Sequence, residues 1–348
     1  MTAARTRTRN FAEPNRLVSK RPGCPTVGRH ERVPYRALMG AAGTPRVSVI
    51  APVRNGAADI AALLACLERQ TLPADEFEVV IGDDGSADGS TDGIGTANGR
   101  IRVAAGPPTN SYAARNRAVA ASTGSVLAFC DADCRPEPEW LERGLAALEG
   151  TDIAAGRIRF DVPARRTTWT LIDMDGAKDH EHQVRVGVAE TANLFLRRAL
   201  FDRVGGFEGG ISEYGDYEFV ERCVALGAEL KFAPDAVVSH PARTSGRALL
   251  RALWKYNRGY AVHATRAGKR PEGLKLRSLV PFVQTVRGRR RWGRSIGPDR
   301  CWLRQNGVEP TVSETLFATV AIYLLLPYLG SAAQLAGWLE ARRPRRGS

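Results

Sequence analysis

From Val47 onward, short all-apolar runs alternate with rows of apolar residues at helical spacing. Val47-Ser-Val-Ile-Ala51 is a β-rich run closed by Pro52 and the turn formers Asn55-Gly56. Ile60, Leu63, Leu64 and Leu67 then fall at i, i+3, i+4 and i+7, the signature of one buried helix face. Phe77-Glu-Val-Val-Ile-Gly82, Ile101-Arg-Val-Ala104 and Ser125-Val-Leu-Ala-Phe-Cys130 read as further strands. An Ala-rich helix over Asn110–Ser122 precedes the last of them, and Gly124 is expected to cap it. Strands and helices alternating at this interval predict an α/β domain, a mostly parallel sheet flanked by helices. Such sheets bind ligands beyond the carboxyl ends of their strands.

Two acidic motifs lie at those ends. Asp83-Asp84-Gly85-Ser86 closes the second strand, and Asp131-Ala132-Asp133 follows the fourth directly. Two carboxylates one residue apart beyond a buried strand repel each other unless a cation joins them. A hard divalent ion would do so and would leave positions open for phosphate oxygens. The plainer reading of each motif is a solvated turn. Arg115, on the helix ahead of the fourth strand, is placed to add a cation; otherwise it is a surface residue. His240 ends a last strand, Val237–Pro241, either as a structural residue or as a further metal or phosphate contact.

Charge sharpens the boundaries. The chain has 348 residues and a net charge of +13, but the middle is acidic and both flanks are basic. Residues 1–46 carry +8, residues 47–241 carry −11 and residues 242–348 carry +16. A duplex-binding surface needs positive charge on the folded domain, so no nucleic acid partner is expected; basic flanks suit an anionic membrane surface. The six cysteines form no Cys-x-x-Cys pair, and no zinc-like ligand spacing surrounds Cys130 and Cys134. Free thiols and a reducing compartment are therefore expected. Residues 1–45 read as a disordered basic tail without a secretory signal, and Met39 offers an alternative start.

In order along the chain, Pro52-Val-Arg-Asn55, Asp83-Asp-Gly-Ser86, Ala114-Arg-Asn116 and Phe129-Cys-Asp-Ala-Asp-Cys134 resemble the motifs of family 2 glycosyltransferases, which have the GT-A fold. Thr191–Arg198, Val204-Gly-Gly-Phe207 and Gly215-Asp-Tyr-Glu218 continue the resemblance, which spans about residues 46–242. It implies a catalytic domain that moves a sugar from a nucleoside-diphosphate sugar to a hydroxyl acceptor with inversion, using Mn²⁺ or Mg²⁺. Pro52, Arg54, Asn55, Asp83, Asp84, Arg115 and Asp131 would contact the donor. Asp131, Asp133 and His240 would hold the metal. Asp216 matches the general base; the family's usual Glu-Asp is Gly215-Asp216 here, so Glu213 is the alternative. A second alternative role for Asp216 is to cap the helix that begins there. Trp169, Asp173, Asp175, His180 and His182 lie where acceptor contacts are expected.

Residues 243–312 form a basic helical or linker region, and 313–341 an apolar segment followed by a basic tail at 342–348. Thr315–Leu339 has no charged residue and is long enough to span a bilayer, yet Pro327 interrupts it and both flanks are basic. A span, a monotopic segment on the cytoplasmic face of the membrane, and a helix packed on the catalytic domain are the three readings. Membrane attachment would suit a lipid-linked or cell-envelope acceptor. A nucleotidyltransferase would open with a Gly-rich phosphate loop in place of Pro52–Asn55. A processive polysaccharide synthase would carry Gln-x-x-Arg-Trp, whereas Gln284-Thr-Val-Arg287 is followed by Gly288. An RNA-binding module would leave the carboxylate motifs unexplained.

Overall fold

The computed structural model describes residues 45–95, 99–175, 178–274 and 298–342. The N-terminal tail with Met39, Cys24, the Gln284–Gly288 stretch and residues 343–348 lie outside the described residues. The order of elements is β1 (Val47–Val53), α1 (Ala57–Leu67), β2 (Phe77–Asp83), β3 (Ile101–Ala105), α2 (Ser111–Ala120), β4 (Val126–Cys130), β5 (Arg135–Pro136) and α3 (Trp140–Ala147). There follow β6 (Ile153–Asp161), α4 (Thr168–Met174), α5 (His180–Arg185), β7 (Asn193–Arg197), α6 (Arg198–Val204), α7 (Gly215–Ala225), β8 (Leu230–Pro241), α8 (Gly246–Arg266) and α9 (Arg300–Gln305). A C-terminal helical segment, Val312–Ala341, completes the described chain.

One eight-stranded sheet runs β3-β2-β1-β4-β7-β6-β8-β5. The half that the apolar runs predict, β3 to β4, is parallel throughout. Beyond it β7 lies antiparallel to both β4 and β6, and β5 antiparallel to β8, so the whole sheet is mixed. The chain fills β1, β2 and β3 outward and then returns to place β4 on the other side of β1. This reversal opens a crevice at the carboxyl ends of β1 and β4. One core packs α1 and α3 against the sheet through Ile60, Leu63, Leu67, Trp140 and Leu141. Another, with Phe129, Phe201, Phe207 and Phe219, seats α2, α6 and α7 on the opposite face.

Close backbone approach, not capping, explains two glycines. A Cβ on Gly82 would lie 2.4 Å from the Ala114 carbonyl oxygen, so its absence lets α2 sit directly on β2. Gly124 does not cap α2, which ends at Ala120 with Ala121 as its C-cap; a Cβ on Gly124 would lie 2.6 Å from the Ser48 amide. Gly124 belongs instead to a buried polar knot. Its amide donates to Ser48 Oγ (2.8 Å) and to Glu78 Oε1 (3.1 Å), and Glu78 also accepts from Ser48 Oγ (2.7 Å) and Thr123 Oγ1 (3.0 Å). Burial alone would raise the Glu78 carboxyl, but the Thr123 amide and these hydroxyls outweigh it and hold the carboxyl below its usual range.

The uncharged run near the C-terminus packs one face on the α/β domain: Ala318, Ala321, Ile322 and Tyr323 close over Ile172 of α4 and Leu249 of α8. Farther along, Gly337 lies against the Arg258 carbonyl, where a Cβ would stand only 2.3 Å away. The other face is apolar and open, carrying Val312, Leu316, Val320, Leu324 and Tyr328. By length and composition the segment is able to cross a membrane.

Candidate active site

The loops after β1 and β2 are sewn together. Asn55, with φ of 54°, accepts from the Ala87 amide (2.9 Å) and gives its own N–H to Ser86 Oγ (3.0 Å). Asp83 accepts from the Ser86 amide (2.9 Å) and Thr91 Oγ1 (2.8 Å). Burial pushes its carboxyl upward, but the bonds to Ser86 and Thr91 prevail and hold it down. Asp84 accepts from the Thr109 amide (2.9 Å) and faces Arg117 at 3.4 Å, while Arg117 also donates to the Asp83 carbonyl (2.9 Å). Both carboxylates are buried and organise their own loop, with lone pairs to spare for a ligand. Arg54 is exposed, and Pro52 is half-buried at the end of β1. The cation beside the Asp83-Asp84 pair is therefore Arg117, two residues on from the Arg115 that the sequence pattern singles out.

Arg115 is buried and donates to Asp131 at the end of β4. Burial would raise the Asp131 carboxyl; Arg115 and Lys178 more than offset this and keep it ionised. Asp133 has the opposite fate: burial and then the neighbouring Asp131 charge push it up to about 6. It lies 3.6 Å, Oδ2 to Nε2, from His240, whose ring burial and the nearby Lys178 charge lower to about 3. That imidazole is neutral at pH 7, so the contact is no salt bridge. Its Nδ1 lies 2.9 Å from the Pro241 carbonyl, which assigns the proton to Nδ1 and leaves the Nε2 lone pair toward Asp133. Cys134 joins them: ligand atoms of Asp133, Cys134 and His240 lie within 4.8 Å of one another. A hydrogen bond with Cys130, then burial, keeps the Cys134 thiol protonated, a poor ligand form. Carboxylate oxygen plus neutral imidazole nitrogen is a donor set that fits Mn²⁺, whereas Mg²⁺ would be served by the carboxylates alone. All five cysteines within the described residues are free.

The third group stands at the start of α7. Tyr214 adopts φ of 71° at the N-cap, so Asp216 is inside the first turn and does not cap the helix. Its carboxylate accepts from Tyr112 Oη (3.2 Å) and the Tyr217 amide (3.0 Å), and burial followed by repulsion from Glu190 lifts it to about 6. The rival acids are neutralised: Glu213 pairs with Lys255 at 3.2 Å, and Glu218 with Arg222. A cavity of about 910 Å³ brings Arg115, Asp131, Glu213 and Asp216 together with Lys178 and Glu190. Asp83, Asp84, Asp133 and His240 lie outside its wall.

Lys178 and Glu190 carry no signal in the sequence. Glu190 is drawn down to about 2 because Lys178, at 2.9 Å, overrides its burial. The residues between β6 and β7 are mostly supports. His180 Nδ1 donates to the Gly156 carbonyl (2.7 Å) and its Nε2 accepts from the Glu190 amide (3.1 Å). Asp173 holds Arg243 (2.9 Å), Asp175 accepts from the Asp299 amide (2.8 Å), and Trp169 packs on Phe317. Asp173, Asp175 and His182 line the cavity, whereas His180 stands behind it.

The profile of Glycosyl transferase family 2 matches residues 48–207. Glycosyltransferase AglE of Haloferax volcanii is 35% identical over 222 residues, covering 62% of this chain and 73% of that protein. The chain belongs to the family 2 glycosyltransferases. Pre-mycofactocin glycosyltransferase of Mycobacterium tuberculosis is 29% identical over 214 residues, which cover 58% of this chain but only 44% of that protein. Among solved structures, the Pyrobaculum calidifontis mannosyltransferase PcManGT, in complex with GDP-Man and Mn²⁺, superposes with a TM-score of 0.51 at 17% identity. It covers 86% of this chain and 87% of that one, and it shows that the GT-A fold is shared. The matched span contains both acidic motifs at their strand ends, and Asp216 lies beyond it.

Proposed function

We propose that this family 2 enzyme transfers a sugar from a nucleoside-diphosphate sugar to a hydroxyl group with inversion, with Asp216 as general base. The observation that carries this reading is the shared cavity: Asp216 has no ion-pair partner among the described residues and faces the same space as the Arg115–Asp131 pair. A base there takes the acceptor proton while the acceptor oxygen attacks the anomeric carbon. A pKa of about 6 leaves it ionised, and still basic, near neutrality. Arg115 and Lys178 give the donor end of the cavity two fixed cations for a departing diphosphate.

Asp131, Asp133 and His240 would hold Mn²⁺ or Mg²⁺, which when bound supplies further charge stabilisation to the leaving phosphate. Arg54, Asn55, Asp83 and Asp84 would border the nucleotide, in line with the GDP-Man and Mn²⁺ bound by PcManGT. We assign the acceptor to a lipid-linked or cell-envelope glycan, at the cytoplasmic face of a membrane reached by the open apolar face of Val312–Ala341. The test is a thermal-shift screen of nucleotide sugars with Mn²⁺ and Mg²⁺, followed by NMR assignment of the product anomer. A retained anomeric configuration, or no response to any nucleotide, would reject the reading.

A further inference from the structure

Helix α2 carries Tyr112 and Arg115 one turn apart, and the two serve different parts of the site. Arg115 donates to Asp131 at the end of β4, whereas Tyr112 Oη donates to Asp216 Oδ1 at the start of α7 (3.2 Å). The Tyr217 amide takes the same oxygen (3.0 Å), so Oδ2 is the one left for a ligand among the described residues. The helix itself is pinned to the loop ahead of α7. Asn110 caps it, accepting from the Tyr112 and Ala113 amides, and donates to the Gly209 carbonyl (2.9 Å). Asn116 donates to the Phe207 carbonyl (2.8 Å) and accepts from the Phe207 amide (3.0 Å). Asn110 and Asn116 therefore set the seating of α2, and the Tyr112 hydroxyl serves Asp216.

The Tyr112 ring is wedged in place. It is buried, with its centroid 5.6 Å from that of Phe207 and the Arg115 guanidinium carbon 5.5 Å from its own. Its third neighbour is Gly215. A Cβ there would stand 2.7 Å from the ring's Cε2 and 3.0 Å from its Cζ, so glycine alone leaves room for the phenol. The Gly215-Asp216 pair, in place of the family's usual Glu-Asp, thus has a physical reason: Tyr112 fills the space where a side chain on residue 215 would begin. Burial, and then the Asp216 charge, raise the phenol well above its usual range, so the hydroxyl stays a donor at every working pH.

We propose that Tyr112 is the positioning residue of the base: seated in the gap at Gly215, it holds Oδ1 of Asp216 and turns Oδ2 toward the acceptor hydroxyl. Tyr112 acts through Asp216 and takes no proton itself. Its hydrogen bond goes to the charged form of the carboxyl and so favours that form. Helix α2 then governs both ends of the site, Asp131 through Arg115 and Asp216 through Tyr112. The catalytic part of this role rests on Asp216 being the general base; the hydrogen bond does not.

Full-length protein with ¹³C at the aspartate carboxyls, in detergent and chelator, reads the hydrogen bond by NMR; loss of a signal in Asp216→Asn assigns it. The folded midpoint of about 6 should rise by about half a pH unit or more in Tyr112→Phe. Arg115, Asp131, Glu190 and Tyr256 also face Asp216 and remain in that variant, so their charges do not account for the rise. Gly215→Ala tests the packing. Alanine in a helix ordinarily raises the melting point over glycine, but here it should lower it. In a Tyr112→Ala background the same change should raise it. Turnover is followed as nucleoside diphosphate released from GDP-mannose or UDP-glucose with Mn²⁺. Tyr112→Phe should lower kcat by roughly tenfold with the donor KM unchanged, and should move the acid limb to higher pH. An unmoved Asp216 midpoint, full turnover of Tyr112→Phe across the pH range, or a melting point lowered equally by Gly215→Ala in both backgrounds would each overturn the role. Full turnover in Asp216→Asn, with the midpoint still moved by Tyr112→Phe, would instead reject Asp216 as the base and leave Tyr112 a structural partner only.

Discussion

The loops around β2 and the region beyond β4 hold their carboxylates in different ways. On the parallel side, Glu78 and Asp83 are surrounded by donors from their own loops, and both are held below their usual range. Beyond β4, Arg115 and Lys178 hold Asp131 and Glu190 down, but Asp133 and Asp216 face other acids and rise to about 6. The first arrangement stabilises a loop framework; the second stores unfavourable charge that only a cation or a substrate proton relieves. Acids of the second kind, gathered in or beside a cleft, are the candidates for chemistry, while acids of the first kind organise their own loops.

The largest expected effect breaks the second arrangement at its metal end. Asp133→Ala should abolish transfer and remove the melting shift given by Mn²⁺ plus donor; normal turnover, or full activity in excess chelator, would contradict the metal assignment. Next comes Asp216→Asn, which keeps the shape and loses the proton affinity. Turnover should fall by roughly 10²–10⁴ with donor binding retained. Glu213→Gln should cost less than about tenfold, because Lys255 already neutralises that acid. The reverse ranking of the two variants would move the base to Glu213.

A smaller effect is expected on the architectural side, and of a different kind. Glu78→Ala strands the Ser48 hydroxyl and the Thr123 amide and removes the ion-pair partner of Arg102. Loss of buried partners at this density costs about 2–4 kcal/mol, read as a lower denaturation midpoint. Turnover per folded molecule should hardly change. A variant with normal stability and lost activity would erase the distinction between the two regions.

How much was legible follows the same division. The parallel half is written in consecutive sequence: Val47–Ala51, Phe77–Gly82 and Ser125–Cys130 are apolar runs that end in their own acids, so strand, crevice and motif read together. The mixed half depends on partners far apart in the chain. His240 reaches Asp133 only because β8 pairs with β5, and nothing near Lys178 or Glu190 announces that they meet behind Asp131. Gly124 looked like a helix stop because a backbone contact with Ser48 leaves no local trace. Arg115 and Arg117 differ by two positions, and only the seating of α2 on Gly82 decides which guanidinium meets which acid. The segment at Thr315–Leu339 showed its apolar character plainly, but not that one face of it would close over α4 and α8.

The finest comparison pits the two roles of Asp216 against each other through pH. Its carboxyl titrates at about 6 when folded, against a model-peptide value near 4 when unfolded. The folded chain therefore holds this proton more tightly than the unfolded chain. The stabilisation associated with that proton is complete below about pH 4 and is lost as pH rises through about 6. Asparagine resembles the protonated acid, so Asp216→Asn and wild type should have equal stability at pH 4, measured in chelator so that no cation masks the charge. At pH 8 the variant should be the more stable by about 1–3 kcal/mol. Activity runs the other way, because the base works only when ionised: wild-type turnover should climb through an acid limb near pH 6 and level above it. Glu190→Gln removes the charge that repels Asp216, so the limb should move to lower pH. A limb that stays in place in Glu190→Gln, together with no stability gain for Asp216→Asn at pH 8, would mean that Asp216 is a solvated turn acid with no stored charge.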